Sequence, residues 1–537
     1  MPRARARDEG NVAVRPGFVL EVDERTPPLL VHQGEGLLLE QFPLGTRVVY
    51  PPESLPGVPD VDAAIADALE HPHGCEPLRE LLFPGMKLTI AFDDLSIPLP
   101  RMRRPDIRGR VIEQVLTLAA EAGVDDVQLI VATALHRRMT AAEIEYVVGE
   151  RVFRSFWPDN LYNHDAEDRD NLLHVGVTDH GEDVEINRRA AESDLVVYVN
   201  VNLVAMDGGH KSVPIGLASY NSLRHHHNSH TMLHSNSFMD HTRSAMHSSA
   251  WRMGRLLAEH LKIFTVETTV NNQAFPEKYG FLTKREWEWS RADQAMAYGM
   301  TAALPKLPTR QRHRLFQNIV ADYSVTAVNA GETEAVHEKT LESVHRQQLV
   351  EVDGQSDVLI VGLPYIGPYN SDAVMNPILA TCLGLGYFFN MYRNKPLVRH
   401  KGAMILYHPV TPEFTQLHHP SYVDFYEEVL AESTDPATIE AKFEKQYATD
   451  PWYIHLYRTS HAYHGVHPFY MWYWATHGMD HLGDVVWVGG DRRACARMGF
   501  RAASTFADAL EMVSGTVGRD PSITYLHSPP HAIADVR

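Results

Sequence analysis

The segment Lys87-Leu-Thr-Ile-Ala-Phe-Asp-Asp94 has the composition of a buried β-strand that ends in two carboxylates. In residues 108–122, which follow it, apolar side chains recur with a spacing close to 3.6, which predicts a helix. Residues 127–132 then predict a second buried strand. Because a strand–helix–strand succession joins neighbouring strands in the same direction, these residues predict an α/β fold built on a mostly parallel sheet.

The remainder of the chain repeats this pattern and predicts two lobes, each a mostly parallel sheet with flanking helices and an active site in the cleft between them. Thr140 and Glu143 form a capping box that predicts the start of another helix. Further strands are predicted at 172–177, 195–201, 357–362, 403–407 and 484–488, and further helices near 373–385 and 507–513. The expected divisions are a mobile tail at 1–15, a cofactor-binding α/β domain at 16–265, a helical connection at 266–350 and a second α/β domain at 351–537.

Composition excludes several classes of protein. The formal net charge of −19 disfavours a nucleic-acid-binding surface, which needs a clustered positive field. Three scattered cysteines are too few for a disulfide framework and predict a reducing compartment. Neither a secretory signal nor a run of about 18 apolar residues is found, so the expectation is a cytoplasmic protein without a membrane partner. The sequence leaves the oligomeric state open.

Polar side chains follow three of the predicted strands. Asp93 and Asp94 end the first strand, His136 and Arg137 follow the second, and residues 207–211 follow the strand that ends near Val201. In parallel α/β sheets, ligands bind at the carboxyl ends of the strands. A histidine at such a point is a candidate general base, and a neighbouring arginine is a candidate carboxylate-binding group. A histidine that only hydrogen-bonds within a loop is the alternative.

Of the three polar segments, Asp207-Gly-Gly-His-Lys211 combines the most groups with a possible chemical role. Gly208 and Gly209 let the backbone approach a ligand, and their amides can form an anion-binding concavity. Lys211 could neutralise a phosphate or act as a nucleophile. An ordinary turn with an exposed lysine remains the alternative.

Two groups of histidines stand out among the 31 in the chain. In a continuous helix, His226, His230 and His234 would lie on one face, where two imidazoles can chelate a metal ion, although a polar helix face is the alternative. The second group lies among tyrosines and tryptophans at residues 452–481. A cover, a substrate-facing wall or a subunit contact is favoured there over a second metal site.

The order of these motifs resembles the lactate racemase family, whose members carry a nickel-pincer nucleotide. The matching segments are Asp94-Leu-Ser-Ile-Pro98, Ala132-Thr-Ala-Leu-His-Arg137, Asn163-His-Asp165 and Gly208-Gly-His-Lys211, followed by Pro214 and Gly216. The resemblance is densest between residues 85 and 235 and continues more faintly into the second lobe.

The resemblance implies a role for each matching residue. Lys211 falls where the family's lysine attaches covalently to the pyridinium ring of the cofactor, and His227 falls where a histidine binds nickel. His136 matches one of two family histidines that exchange the hydroxyl proton of the substrate while a hydride moves to and from the cofactor. The remaining assignments are Arg137 as a catalytic residue, and Asp94, Ser96, Gly208, Gly209 and His210 as cofactor-binding residues.

This sequence also departs from the family pattern. The second family histidine would fall at Val201, and the arginine expected after Ser96 is Ile97. The family's glutamine and lysine fall near Asn376 and Leu379, and the glycine of its Ala-Thr-Gly motif is Ala134. Since a buried carboxylate without a cation is costly, the loss of two cations disfavours a small hydroxycarboxylate.

Three functions are therefore compared. The leading hypothesis is a nickel-pincer racemase or epimerase that acts on a hydroxylated small molecule other than lactate, with cofactor-biosynthesis proteins as partners. A non-catalytic nucleotide-binding sensor or partner protein is the second, because Val201 cannot transfer a proton. A histidine–metal hydrolase built on residues 225–234 is the third.

Overall fold

The computed structural model describes residues 18–96 and 100–537. The expected tail at residues 1–15 and the position of Ile97 lie outside the described residues. The strands are β1 Val19–Glu21, β2 Leu29–His32, β3 Leu37–Glu40, β4 Arg47–Val49, β5 Lys87–Asp93, β6 Asp126–Ala132, β7 Leu161–Asn163, β8 Leu172–Val177, β9 Asp183–Asn187, β10 Leu195–Asn202, β11 Ile263–Val270, β12 Val325–Gly331, β13 Leu349–Val352, β14 Ser356–Gly362, β15 Tyr392–Arg393, β16 Val398–Tyr407, β17 Asp484–Val488, β18 Arg501–Ala503, β19 Ile523–Leu526 and β20 Ile533–Val536.

The helices lie between these strands, as the sequence predicts for an α/β fold. They are α1 Val61–Glu70, α2 Leu78–Leu81, α3 Ile107–Glu121, α4 Ala141–Val148, α5 Glu150–Phe156, α6 Arg188–Ala191, α7 Ser212–Gly216, α8 Tyr220–His226, α9 Ser229–Leu233, α10 Ala245–Ala258, α11 Arg291–Ala303, α12 Thr309–Gln317, α13 Thr333–Gln348, α14 Pro377–Thr381, α15 Pro420–Asp424, α16 Leu430–Glu432, α17 Pro436–Ile439, α18 Lys445–Ala448, α19 Pro451–Thr459, α20 His467–Tyr473, α21 Thr476–His481, α22 Arg492–Arg497 and α23 Phe506–Val517. Short π-helical segments extend α14, α15 and α17.

The first lobe is a six-stranded sheet in the order β12-β11-β10-β5-β6-β7. All of its pairings are parallel except that of β11 with β12. Successive side chains of β5 point to opposite faces: Ile90 packs with α3 residues such as Val111, while Ala91 belongs to the core on the other face. Helices therefore cover both faces, and the predicted β5–α3–β6 unit is confirmed, as is the capping box of Thr140 and Glu143.

The second lobe is a seven-stranded sheet in the order β1-β4-β19-β14-β16-β17-β18, parallel except for β1. The predicted α/β class with two sheet-rich lobes is thus confirmed. Strands β1 and β4 come from the start of the described chain but pair in this second sheet, and β12 returns to the first sheet from the region expected to be a helical connection. These pairings cross the domain limits expected from the sequence. The predicted strand 172–177 exists, but it pairs antiparallel with β9 in a separate hairpin.

The segment between β16 and β17, residues 408–483, folds as helices α15–α21 and packs onto the first lobe. Tyr457 donates its hydroxyl proton to the backbone oxygen of Ala134 at 2.9 Å, and the backbone N–H of His464 donates to that of Leu135 at 3.2 Å. Both acceptors lie in the loop after β6. This histidine- and aromatic-rich segment therefore covers the carboxyl end of the first sheet.

A buried carboxylate, Glu444, joins the same segment to the first lobe. It accepts hydrogen bonds from the hydroxyls of Tyr473 at 2.9 Å and Tyr220 at 3.0 Å. Burial raises the pKa of Glu444 from 4.5 to about 7, and the two tyrosine hydrogen bonds and the charge of Arg224 oppose this shift only in part.

We expect the variant Glu444→Gln to gain stability relative to the unmodified protein as the pH rises. Since the pKa of Glu444 is raised in the folded state, the folded protein holds this proton more tightly than the unfolded chain does. The contribution of Glu444 to stability is therefore fully present below pH 4.5 and is lost as the pH rises through about 7. The pKa difference between 4.5 and about 7 corresponds to about 3 kcal/mol in the free energy of unfolding. Denaturant unfolding at pH 5 and pH 8 measures it, with the exposed Glu428→Gln as the control. Equal pH dependence of Glu444→Gln and the unmodified protein would contradict the account.

Candidate functional site

A cavity opens at the carboxyl ends of β5, β6 and β10, where the two lobes meet. Its first-lobe wall carries most of the polar residues that the sequence singled out, and its second-lobe wall is largely aromatic. The sequence-predicted residues that line it are Asp94, Ser96, His136, Gly208, Lys211 and His227. The second-lobe residues that line it are Pro368, Tyr369, Tyr387, His467, Tyr470, Met471 and Trp474.

The glycine loop after β10 is shaped by hydrogen bonds to carboxylates. Asp207 accepts the backbone N–H groups of Leu203 and Val204 at 3.0 and 3.1 Å, which closes the turn. Gly208 follows with a φ of +83°, a conformation that glycine adopts at little cost. The N–H of Gly209 donates to the buried carboxylate of Glu267 at 2.6 Å. This amide is therefore already used within the protein.

The variant Gly208→Ala is expected to disrupt the loop. An added Cβ would lie 2.3 Å from the amide nitrogen of Asn202 and 2.4 Å from a carboxylate oxygen of Glu267, in a backbone conformation that alanine disfavours. We expect a loss of about 2–4 kcal/mol of stability, measured by denaturant unfolding. Gly515→Ala, within a helix and with open space around it, is the control and should be neutral or stabilising. Equal stability of both variants would contradict this reading of the loop.

Lys211 lines the cavity near Asp207, a buried carboxyl whose pKa is raised by burial. Its Nζ donates a hydrogen bond to the backbone oxygen of Met206 at 3.1 Å. Burial lowers the pKa of Lys211, and the nearby carboxylates of Asp207 and Asp93 oppose this shift. A lowered pKa increases the fraction of neutral amine, which is the nucleophilic form.

His227 lies at a break between two helices, and this corrects the expectation of a continuous histidine face. Helix α8 ends at His226, and Asn228 begins α9 by accepting the N–H of Thr231 with its side chain. Because of this interruption, His226 lies on α8 and His230 lies on α9. The ring of His227 stacks on Tyr470 with centroids 5.1 Å apart.

The imidazole of His227 has the state that a metal ligand requires. Its Nδ1 is buried and has no hydrogen-bond partner in the described part of the chain. Burial lowers the pKa of His227 to about 3, so the ring is neutral at physiological pH. Within residues 18–96 and 100–537, no three His, Cys, Asp or Glu side chains converge to hold a metal ion. Among the described residues, a metal at His227 would therefore lack a cluster of three protein ligands, so a bound cofactor or water would have to supply the others.

His136 is oriented by a carboxylate. Its Nδ1 lies 2.9 Å from Oδ2 of Asp94 and 3.0 Å from the hydroxyl of Ser96, which itself donates to Asp94 at 3.0 Å. Donation from Nδ1–H to the carboxylate leaves Nε2 as the proton acceptor. Although burial opposes it, the contact with His136 holds the pKa of Asp94 below its usual value. The hydrogen bonds of Asp94 and Ser96 thus go to His136, while their assignment to a cofactor stays a prediction.

Arg137 and His210 have partners outside the cavity. Arg137 forms a buried, bidentate ion pair with Glu143, at 3.0 and 2.7 Å. The Nε2 of His210 lies 2.9 Å from a carboxylate oxygen of Glu334. Neither side chain lines the cavity in the described residues, so the sequence-based roles of Arg137 in catalysis and of His210 in cofactor binding remain predictions.

The positions at which this sequence departs from the family pattern fall into two groups. Val201 lines the cavity, and Ala134 also lines it with a left-handed φ of +50° where the family motif has glycine. Asn376 instead caps α14 by accepting two backbone N–H groups, and Leu379 is buried within the same helix. Neither is among the described residues that line the cavity.

Sequence reasoning did not assign roles to the second-lobe wall. Tyr369 lies with its ring 5.0 Å from that of His136, and His467 lies 5.5 Å from it. The sequence feature that indicates this wall is the cluster of histidines and aromatic residues at 452–481. A substrate-facing wall is one of the alternatives that the sequence leaves open for this cluster. Helix α20 of that cluster faces the cavity.

In the described part of the chain, helices that combine the length and the apolar character needed to cross a membrane are absent.

Comparisons with known proteins point to one family. The family model described as the lactate racemase N-terminal domain matches residues 39–240. A lactate racemase of Lactiplantibacillus plantarum is 27% identical over 167 residues, which cover 30% of this chain and 37% of that protein. A lactate racemase of Thermoanaerobacterium thermosaccharolyticum is 28% identical over 157 residues, which cover 28% of this chain and 34% of that protein. The matched part thus spans about a third of the length of these curated relatives.

The overall fold is similar over a much longer stretch. The structure of the lactate racemase apoprotein from T. thermosaccharolyticum superposes with a TM-score of 0.61 at 16% identity, covering 95% of this chain and 100% of that chain. At this identity the likeness concerns the fold. The motifs of the first lobe, the family model and the relatives agree, and residues 39–240 of this chain are similar to the N-terminal domain of lactate racemases.

Proposed function

We propose that this protein is a racemase or epimerase that uses a nickel-pincer nucleotide, attached through Lys211 with its nickel bound by His227, to invert a hydroxyl-bearing carbon of a small molecule other than lactate. The observation that carries the proposal is the meeting of Lys211, His227 and the oriented imidazole of His136 in one cavity.

The residues on the cavity wall fit such a cofactor. Lys211 offers a buried primary amine with one hydrogen bond, and His227 offers a neutral imidazole with a buried, unpartnered nitrogen. Imidazole is a suitable ligand for nickel, and the ligands missing from the chain are those that a sulfur-containing cofactor would provide. When bound, the cofactor supplies a pyridinium ring that accepts and returns a hydride.

The chain itself supplies proton transfer and positioning. The Nε2 of His136 would remove the hydroxyl proton of the substrate, and Asp94 would stabilise the resulting imidazolium through Nδ1. Tyr369 and Trp474 would hold the substrate and exclude water, because their rings form the opposite wall of the cavity. Positioning of this kind is what the protein contributes when a cofactor carries the hydride.

The charges of the cavity define the class of substrate. Lys211 is the one lysine or arginine among the described residues that line it, and three carboxylates line it as well: Asp93, Asp94 and Asp207. Attachment of the cofactor would use the amine of Lys211 and remove its charge. Burial raises the pKa of Asp93 to about 7 and also raises that of Asp207. Against the effect of burial, the contact with His136 holds the pKa of Asp94 below its usual value. A substrate carboxylate would then enter the cavity beside the charged Asp94 and without a lysine or arginine partner, which is unfavourable. The proposed substrate is therefore an uncharged hydroxy compound.

Matched pairs of compounds test this proposal. Protein produced together with the cofactor-building proteins would be incubated with single stereoisomers of lactamide, lactate, mandelamide and mandelate, and the opposite stereoisomer would be measured by chiral chromatography. We expect kcat/KM to be at least about 10-fold higher for each amide than for its acid, since an unpaired buried charge costs more than 1.4 kcal/mol. A preference for the acids would contradict the proposed substrate class.

A cofactor-binding protein without turnover is the second candidate, and Val201 on the cavity wall favours it. Nucleotide binding that survives Lys211→Ala, with no inversion of any hydroxy compound by the unmodified protein, would support this candidate.

A further inference from the structure

The second-lobe wall contains a histidine that neither the family model nor the sequence comparison assigns. His467 begins helix α20, outside the matched residues 39–240. It is 1% exposed to solvent and lines the cavity. Its ring centroid lies 5.5 Å from that of His136, with the two ring planes at 85°. The two imidazoles thus come from different lobes and meet edge to face at one point of the cavity.

The hydrogen bonds of His467 leave one ring nitrogen unused. Nδ1 lies 2.6 Å from the hydroxyl oxygen of Tyr422, which is fully buried on α15. Nε2 is buried and has no hydrogen-bond partner in the described part of the chain. Because an unsatisfied buried polar atom is costly, such an atom on a cavity wall indicates a ligand group that completes it.

The Tyr422–His467 pair can present Nε2 in either state. A tyrosine hydroxyl both donates and accepts hydrogen bonds. When the ring is protonated, Nδ1–H donates to the hydroxyl oxygen of Tyr422, and the imidazolium is an acid at Nε2. When the ring is neutral and Nδ1–H still donates to Tyr422, Nε2 is bare and is a base. The pair therefore permits both directions of proton transfer without a change in the position of the ring.

The position of His467 is fixed relative to His136. The backbone N–H of His464, three residues before His467, donates to the oxygen of Leu135, the residue before His136. The ring of Tyr369 also contacts both imidazoles, with its centroid 5.0 Å from that of His136 and 4.9 Å from that of His467. Side chains held in this way can place catalytic nitrogens reproducibly, which proton transfer requires.

We infer that His467 is the second proton-transferring histidine of this site and takes over the role lost at Val201. The inference rests on the proposed function. In the first half of the reaction, the substrate O–H bond breaks and its proton passes to Nε2 of one histidine. The substrate carbon would lose its C–H electron pair as a hydride, which the pyridinium chemistry of a bound cofactor would accept, and the carbon would become a carbonyl. On return of the hydride to the opposite face of the carbon, the other histidine would deliver a proton to the oxygen.

The two histidines end such a turnover with exchanged protonation states, which proton exchange with water restores. Rings with centroids 5.5 Å apart are close enough for one small substrate to contact both. An enzyme with one of them removed keeps the half-reaction that uses the remaining histidine but loses inversion.

Carbethoxylation of the protein without cofactor tests the site separately from the proposed function. Diethyl pyrocarbonate reacts with unprotonated, unpartnered imidazole nitrogens, and peptide mass mapping locates the product. We expect His467 and His136 to react at rates within about fivefold of each other. His477 is the matched control, because it is a buried histidine paired with a tyrosine hydroxyl outside the cavity, with Nε2 3.0 Å from the oxygen of Tyr392. It should react at least about 10-fold more slowly.

The inference would be overturned if His136 reacts, which shows that the reagent enters the cavity, while His467 reacts as slowly as His477. Reaction of neither cavity histidine would also overturn it, since a proton-transferring pair must be reachable by a small molecule.

Variants of the cofactor-loaded protein test proton transfer itself. With whichever of lactamide and mandelamide is inverted by the unmodified protein, His467→Gln should lower kcat/KM by about 10²–10⁴-fold in both directions, and His477→Gln by less than twofold. Intact mass should show the same cofactor adduct in both variants. Tyr422→Phe, which removes the partner of Nδ1, should lower kcat more than it changes KM. Full activity of His467→Gln would overturn the inference and leave the proposed function standing, whereas absence of inversion by the unmodified protein would count against the proposed function.

Discussion

Replacement of Lys211 by alanine is expected to abolish the covalent cofactor adduct and, with it, all inversion of hydroxy compounds. The amine of Lys211 is the buried lysine nitrogen on the cavity wall, and its removal leaves no other lysine there among the described residues. Intact mass of the protein produced with the cofactor-building proteins measures the adduct. Lys211→Arg is the sharper variant, because it keeps a positive charge beside Asp207 but offers no nucleophilic amine.

The exposed Lys262→Ala serves as the control and should carry as much adduct as the unmodified protein. An adduct of unchanged mass on Lys211→Ala, located by peptide mapping on another residue, would contradict the assignment of Lys211. Unfolding of the apoprotein variants should be measured in parallel, so that a loss of adduct is not confused with a loss of folding.

Replacement of His136 by glutamine is the second large effect. It removes the imidazole that Asp94 orients, and we expect kcat to fall by about 10³–10⁴-fold while the adduct on Lys211 is retained. Asp94→Asn should lower kcat to a similar extent, because an amide can favour the wrong tautomer of the ring and cannot stabilise its protonated form. The exposed His230→Gln is the control. Inversion rates within tenfold of the unmodified protein for both His136→Gln and Asp94→Asn would contradict this role.

The first lobe was the part of the fold that the sequence predicted best. The β5–α3–β6 unit follows from local periodicity, since alternate side chains of β5 enter different cores and α3 has apolar positions along one face. The partners of β1 and β4 could not be predicted, because they lie in the second sheet, almost 480 residues away along the chain for Arg47 and Thr524. Short strands of three residues also carry too little pattern to assign a sheet.

The candidate site divides in the same way. Lys211 and His136 follow strands whose ends could be located, so their convergence was predictable from the geometry of a parallel sheet. The break at His227 depends on the capping of α9 by Asn228. Asparagine is a preferred residue at helix N-caps, so this signal is present in the sequence. The placement of His467 beside His136 depends on the docking of a segment more than 300 residues away, for which no local pattern exists.

Lys211 and His227 are proposed to hold a nickel-containing cofactor together. The most direct measurement is the nickel content and intact mass of the unmodified protein and of His227→Ala, each purified after production with the cofactor-building proteins. The account predicts about one nickel ion and one covalent adduct per chain in the unmodified protein, and an adduct with strongly reduced nickel in His227→Ala. An unmodified protein of unaltered mass and without nickel, under conditions in which a lactate racemase acquires both, would contradict it.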